Sequence, residues 1–435
     1  MKIGIIGGTK GLGKTLAWYF KEDRFDVTVT GRDVNTGKKV SKELGVNYSD
    51  NNIETVKNSD IVVISVPIAS TKDVIEELAP YMPKESVMID VTSVKEGPTE
   101  KMEECLGDDV EFIPTHPVFG PRTTSLNGQV IVLTATKKGK WYPKVYDYFE
   151  SKKMRIIETT AEHHDYMMAV VQVLTHFSYI STASAIEKLK VNIKNTEDYE
   201  SPIYNLMIDT IARIVSQNPY LTYSIQHENK SGEKIRQAIA DAVLELKEVL
   251  TNHDEDKFVE IALRATKNMG DIQGALGRSD KAINSLTEEL EILKKSIGKE
   301  VGLKHIYSGK VHLGVLEELD VDFLKLKTQN NKIKKLKIAN IEVLTEDELF
   351  KWKIDNQKIY AESISCVFSK TSDGEIIKET LSKIKDITKI ELKEEYEGPQ
   401  IKQNDISYTF EVEGLSKNSI SDVKNTLKGF GGIIR

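Results

Sequence analysis

The residues best suited to chemistry lie at the start of the chain, where Gly7-Gly8-Thr9-Lys10-Gly11-Leu12-Gly13 follows a short apolar run and leads straight into a helical pattern. A strand that turns into a helix through glycines aims several backbone N–H groups at one spot. The positive end of the helix dipole adds to them, so the spot suits phosphate. Two motifs fit. Residues 8–15 satisfy the P-loop pattern G-x-x-x-x-G-K-[ST] letter for letter. The same residues sit where a dinucleotide fingerprint G-x-G-x-x-G would sit, with Gly8 first, Gly13 last and Lys10 in place of the middle glycine. The surroundings favour the dinucleotide reading. A second strand, residues 25–30, comes after one short helix and ends in Gly31-Arg32-Asp33, where a dinucleotide fold reads the adenosine ribose. A third strand, residues 61–66, carries Ser65 and Val66 at its end and stops at Pro67. A fourth, residues 87–91, holds Asp90, which as a magnesium-binding acid would keep the NTPase reading open.

The end of the second strand bears on the cofactor. An NAD site usually carries an acid there, to bond the ribose hydroxyls. Here Thr30 and Arg32 hold that place, and Asp33 comes slightly late. Arg32, with Lys10 from the loop, suits the 2′-phosphate of NADP; the plainer reading is a surface cation at a strand end. The expected cofactor contacts are Gly8, Thr9, Lys10, Gly11, Leu12, Gly13, Thr30, Arg32, Ser65, Val66 and Pro67, with NADP preferred over NAD.

These residues need a scaffold, and composition bounds it. The chain has 435 residues, 39% hydrophobic and 29% charged, enough for two to four domains. A net charge of −7 argues against nucleic acid as a partner. No apolar run reaches the ~18 residues of a membrane span, and the first residues read as a strand, not a signal peptide. Two cysteines, Cys105 and Cys366, exclude a disulfide framework and a Cys-based zinc site. No metal site and a cytoplasmic location are expected.

The chain reads as four regions. Residues 1–157 alternate strands and helices, with further strands at 111–113, 130–133 and 155–157, the pattern of a parallel sheet covered on both faces: an α/β Rossmann domain. Residues 158–296 turn helical; Ile235, Ile239, Val243, Leu246 and Leu250 share one helical face, and Asn218-Pro219 reads as an N-cap followed by proline. This all-α domain is expected to supply the substrate pocket and a dimer interface. Residues 297–355 suggest a small β module with strands near 311–316 and 323–327. Its Lys332-Ile333-Lys334-Lys335-Leu336-Lys337 reads as a solvated face or edge. Residues 356–435 read β-α-β-β-α-β, the ferredoxin-like α+β order, with helices at 374–385 and 418–427.

Beyond the glycine loop, several motifs resemble the prephenate and arogenate dehydrogenases of tyrosine biosynthesis. Asp90-Val91-Thr92-Ser93-Val94-Lys95 is similar to that family's segment after the fourth strand, and Thr115-His116-Pro117-Val118-Phe119-Gly120-Pro121 to its H-P-x-x-G loop. Glu162-His163-His164-Asp165, then Gln172 and His176, matches its helix H-D-x(6)-[S/Q]-x(3)-H. Ser201-Pro202-Ile203-Tyr204, Ile211-Ala212-Arg213-Ile214 and Asn218-Pro219 resemble its later helices. The resemblance covers residues 1 to about 290. Lys10 for a glycine and Gln172 for a serine are departures from it.

The resemblance implies that His116 is the catalytic base, Ser93 the active-site serine, and Arg213 the grip on a substrate carboxylate, with His176 and Gln172 at the substrate. It implies a homodimer and, in some members, a ferredoxin-like (ACT-type) regulatory tail, for which tyrosine is the expected effector. Prephenate has a ring alcohol opposite a quaternary carbon bearing a carboxylate. Loss of hydride and then of carbon dioxide gives 4-hydroxyphenylpyruvate, and aromatisation drives the step. A neutral histidine suits removal of the alcohol proton near pH 7, and a planar arginine fork suits a carboxylate. Each residue also has a plain reading: Ser93 as a helix cap, His176 as a buried core histidine, Arg213 as a surface cation. The apolar neighbours of Arg213 favour a partly buried arginine in need of an anion. His163 and His164 face different sides of a helix, which speaks against a metal pair. The competing functions are arogenate oxidation, a deazaflavin-dependent NADP reductase, a P-loop NTPase and an NADP-sensing regulator without turnover.

Overall fold

The structure is a computed structural model that describes residues 1–320 and 322–435. The chain divides into two compact units, Met1–Ile272 and Gln273–Arg435.

The first unit begins with eight strands: β1 (Lys2–Ile6), β2 (Asp26–Thr30), β3 (Asn47–Ser49), β4 (Ile61–Ile64), β5 (Val87–Asp90), β6 (Glu111–Pro117), β7 (Val130–Leu133) and β8 (Arg155–Glu158). They form one sheet in the order β3-β2-β1-β4-β5-β6-β7-β8. Helices α1 (Gly11–Glu22), α2 (Val34–Leu44), α3 (Asn52–Lys57), α4 (Ile68–Leu78), α5 (Glu96–Cys105) and α6 (Tyr142–Ser151) connect them. The order 3-2-1-4-5-6 is that of the doubly wound dinucleotide fold, whose strand order reverses between β1 and β4. All neighbours pair parallel except β6 and β7, which pair antiparallel, so the expectation of a wholly parallel sheet fails at one step. β1 and β4 are buried on both faces because helices cover both, which is why they read as unbroken apolar runs. β3 escaped the sequence reading: Asn-Tyr-Ser is three residues with no apolar pattern, held at the sheet edge by pairing to β2.

The next helices are α7 (Ala161–Met168), α8 (Thr175–Lys188), α9 (Pro202–Val215), α10 (Pro219–Glu228), α11 (Gly232–Thr251) and α12 (Glu255–Asn268). Ser201 and Asn218 cap α9 and α10, each followed by proline, as expected. A π-helical turn, residues 169–174, joins α7 to α8. The run Ala161–Lys188 is long and apolar enough, by length and composition alone, to cross a membrane. Counting uninterrupted apolar residues missed it, because Thr, Ser and His break the run without lowering its mean much. Buried His164 and Asp165 near its start, Asp165 accepting from the backbone that opens α5 and His164 meeting His116, place that end in a protein interior. Of the expected apolar stripe on α11, Ile235, Ile239 and Leu246 are half-buried, whereas Val243 (60%) and Leu250 (59%) are open in the single chain.

The second unit opens with α13 (Ile272–Lys295), whose Leu290 and Leu293 pack into the core of the β module. The sequence places the end of the helical region at 296; this helix instead shares its core with the strands C-terminal to it. Strands β9 (Glu300–His305), β10 (Val311–Leu319), β11 (Phe323–Lys327), β12 (Ile333–Lys337) and β13 (Ile341–Val343) form a sheet in the order β12-β11-β10-β9-β13, and α14 (Glu346–Asn356) comes next. The lysine-rich β12 is an edge strand, where charge discourages pairing with other chains. The tail comprises β14 (Tyr360–Ser369), α15 (Gly374–Leu381), β15 (Ile387–Tyr396), β16 (Asp405–Gly414), α16 (Lys417–Gly429) and β17 (Ile433–Ile434). Its sheet order, β15-β16-β14-β17, is the ferredoxin-like one, and it has its own core around Phe410, Val412 and Val423.

Candidate active site

The glycine loop is shaped for close approach. Gly7 has φ +85, and a Cβ there would lie 2.3 Å from the Ser65 carbonyl oxygen. A Cβ on Gly13 would lie 2.8 Å from the Gly7 oxygen and 2.8 Å from Ser65 Oγ, so this glycine seats α1 against β1 and β4. Gly11 has φ +55 and open space where its Cβ would be. No side chain caps the start of α1 and no acid sits in its first turn, which leaves its N–H groups for an anion. This cradle fits a dinucleotide pyrophosphate.

The P-loop reading fails on three contacts. Lys14, its phosphate lysine, pairs with Glu43 at 2.7 Å. Thr15, its magnesium ligand, donates to the Pro121 oxygen at 3.2 Å. Asp90 is buried against the Lys95 ammonium and Thr92, not presented to a metal. At the end of β2, Thr30 is buried, and its hydroxyl accepts from the Gly7 N–H at 3.4 Å, so it props the loop rather than facing a ribose. Arg32 and Lys10 are exposed. Asp33 caps α2, accepting from the Thr36 N–H at 2.7 Å. That bond, and then the Lys10 charge, hold its carboxyl below the usual carboxylate range. Ser65, Val66 and Pro67 lie at the C-terminal end of β4, beside the loop.

His116 is not in a loop after a strand; it is the sixth of the seven residues of β6, paired with Val132, and 2% exposed. β6 lies beside β5, and Thr115 Oγ1 donates to the Asp90 oxygen at 2.7 Å, which ties the strand end to the turn carrying Ser93 and Lys95. His116 Nδ1 lies 2.8 Å from His164 Nε2, and His164 Nδ1 lies 2.7 Å from Asp165 Oδ1. Asp165 also accepts from the backbone N–H of Lys95 at 2.7 Å and of Glu96 at 3.0 Å. A carboxylate only accepts, so His164 Nδ1 carries a proton and donates it. His164 Nε2 is then an acceptor, His116 Nδ1 donates to it, and His116 Nε2 is left with its lone pair. Gln172, in the π-turn, points its amide nitrogen at that atom from 3.4 Å. Burial, and then the neighbouring His164 and Lys95, push His116 well below its ordinary value, so the ring is neutral near pH 7. Burial also lowers His164, against the pull of Asp165.

The other expected residues fare differently. Ser93, half-buried, does not cap α5, which starts without a side-chain cap. His176 is half-buried, lowered by burial, and its Nδ1 has no partner among the described residues. Arg213 is exposed near the end of α9, so the expectation of partial burial fails in the single chain. Of its apolar neighbours Ile211 is buried and Ile214 half-buried, while Val215 is 49% exposed. Sequence reasoning gave His164, Asp165 and Lys95 no role, and Asp90 only that of a magnesium ligand in the NTPase alternative, not of the buried partner of Lys95. The signal was present: Ala161, His164, Asp165 and Met168 form the buried face of α7, and a His-Asp pair on such a face needs polar partners inside.

Two family models match in succession: prephenate dehydrogenase, nucleotide-binding domain, over residues 16–158, and prephenate dehydrogenase, dimerization domain, over residues 160–263. A probable arogenate/prephenate dehydrogenase of Methanocaldococcus jannaschii is 41% identical over 440 residues, covering 99% of this chain and 98% of that protein. The T-protein of Haemophilus influenzae is 27% identical, over 62% of this chain and 67% of that protein. The structure of a prephenate dehydrogenase from A. aeolicus in complex with hydroxyphenyl propionate and NAD+ superposes with a TM-score of 0.51 at 20% identity, covering 62% of this chain and 98% of that one, which shows a shared fold. With both domain models in order and one relative alike along nearly the whole length, the chain belongs to the prephenate/arogenate dehydrogenase family.

Proposed function

We propose that this dehydrogenase oxidises and decarboxylates prephenate to 4-hydroxyphenylpyruvate, with NADP preferred over NAD. The observation that carries the reading is the unprotonated Nε2 of His116, faced by the Gln172 amide at 3.4 Å, on a neutral, buried base at the C-terminal edge of the sheet, where doubly wound folds bind their ligands. Gly7 to Gly13 and the start of α1 would hold the pyrophosphate, with Arg32 and Lys10 on the 2′-phosphate. The nicotinamide, when bound, supplies the hydride acceptor. His116 takes the alcohol proton at Nε2, and Ser93, Gln172 and His176 orient the ring. Arg213 holds a carboxylate. The acids nearest the base are engaged, Asp90 with Lys95 and Asp165 with His164, which favours a keto side chain over the ammonium of arogenate.

Exposed Tyr166, Val170, Val171, Ile203 and Leu206 on α7 to α9 support a homodimer through the helical region. The ferredoxin-like tail, with a core of its own, is read as a regulatory domain that takes tyrosine. Steady-state assays with prephenate and arogenate, each with NADP and NAD, test the substrate and cofactor assignments directly. His116→Asn should keep cofactor affinity and lose ~10²–10⁴-fold in kcat. Turnover near that of the wild type would remove His116 as the base.

A further inference from the structure

Both oxygens of Asp165 are engaged deep in the protein. Oδ1 accepts from the His164 ring and from the Lys95 N–H, and Oδ2 accepts from the Glu96 N–H. The two backbone donors open α5 directly after the turn that carries Ser93. The carboxylate therefore cannot rotate, and it dictates the tautomer of His164. His164 in turn dictates that of His116. His116, His164 and Asp165 are all nearly inaccessible to water, at 2% exposure each, so no solvent molecule competes for these bonds.

We propose that His164 and Asp165 are positioning residues for proton abstraction, acting through His116. They keep Nε2 of His116 unprotonated in the resting enzyme and spread the positive charge when it takes the substrate's proton. This rests on the reading of His116 as the base. In that step the alcohol O–H bond breaks and its proton passes to Nε2. The O–H electron pair becomes the second carbon–oxygen bond as the hydride leaves the same carbon for the nicotinamide. The imidazolium then donates from Nδ1 to His164, whose other nitrogen donates to the Asp165 carboxylate. The charged and titratable groups acting on His116 are His164 from α7 and Lys95 from the turn after β5, while Asp165 from α7 and Asp90 at the end of β5 act on His164. Lys95 opposes protonation of His116, whereas Asp165, through His164, favours it. The arrangement has the logic of a base, an orienter and a carboxylate, with a second imidazole in the middle.

The test uses the full-length protein with prephenate and NADP, and four variants. Asp165→Asn can turn its amide nitrogen toward His164, which flips both tautomers and puts a proton on Nε2 of His116. Its kcat should fall by roughly 10²–10⁴-fold, with KM and the NADP Kd within about threefold of the wild type. The acid limb of its kcat–pH profile should move to lower pH, because the imidazolium has lost its anion. His164→Phe keeps a ring but removes the acceptor and should match that loss. His164→Gln offers a carbonyl oxygen to the His116 Nδ1–H and should recover at least about tenfold over His164→Phe. A merely structural role would raise KM and Kd alongside and would not separate Gln from Phe. Asp165→Asn with wild-type kcat and an unmoved acid limb, beside an inactive His116→Asn, would overturn the relay alone. A fully active His116→Asn would instead overturn the assignment of the base, and the relay with it.

Discussion

On the proposed preference for NADP, Arg32→Ala should give an enzyme that accepts both cofactors. The 2′-phosphate brings close to two negative charges at neutral pH, and NAD has only a hydroxyl there. Asp33, which would repel that phosphate if it turned in, is held away by its bond to the Thr36 N–H at 2.7 Å. A charge-assisted hydrogen bond contributes roughly 1.5–3 kcal/mol, whereas exposed ion pairs contribute only about 0.2–1 kcal/mol. Arg32 is exposed, so its contact with a bound phosphate falls between these ranges, at about 1–2 kcal/mol. That corresponds to a loss of about 5–30-fold in kcat/KM with NADP. With NAD the variant should stay within about twofold. Screening gives a second handle, because the Debye length shrinks from about 30 Å at 0.01 M salt to about 8 Å at 0.15 M. The preference of the wild type should therefore narrow as salt rises, and that of the variant should not. The assay is kcat/KM with each cofactor, for both proteins, at the two salt concentrations. A wild type that favours NAD refutes the reasoning, as does a variant that loses both cofactors equally.

The same geometry sets four further outcomes. Lys95→Met leaves the wholly buried Asp90 carboxylate without its counter-charge and should destabilise the first unit by roughly 3–5 kcal/mol. Adding Asp90→Asn should restore much of that in calorimetry, and a single variant that melts like the wild type would show that the pair is not held as charges. His116, His164 and His176 all have lowered proton affinity when folded, so between the unfolded value of about 6.5 and their native values the unfolded chain binds more protons. Stability should accordingly fall as pH drops from 7 toward 5, and a melting temperature that is flat or rising over that interval contradicts neutral burial. Arg213→Ala should weaken prephenate binding by roughly 2–5 kcal/mol, for a pair that substrate binding dries, and leave NADP binding unchanged; an unaltered KM would place Arg213 elsewhere. Truncation before Lys358 should leave catalysis intact and abolish tyrosine inhibition, and an intact enzyme indifferent to tyrosine would favour a structural role for the tail.

Much of the scaffold was legible because local pattern and burial coincide. β1, β4 and β5 are covered on both faces, so their apolar runs stand out, and the tail strands alternate because one face of their sheet is packed by α15 and α16. Ser201-Pro202 and Asn218-Pro219 announced helix starts because capping is a local interaction. The glycine loop was legible in kind but not in identity: its letters fit two motifs, and the strand order together with the contacts of Lys14, Thr15 and Asp90 decided between them.

Residue order alone specified the succession of elements, the glycine loop, the His116 motif and the ferredoxin-like order of the tail. Each depends on residues adjacent in the chain or on a short period. What His116 touches was settled only by the packed fold. Its partner His164 is 48 residues away, and the Asp165 anchor reaches back 70 residues to the Lys95 N–H, separations across which no periodicity operates. Packing likewise settled that Thr30 supports the loop, that α13 joins the β module and that Arg213 is open in the single chain. Those outcomes depend on which surfaces meet once the sheet has twisted and the helices have docked. A residue's type restricts the partners it needs, but the fold selects the ones it finds.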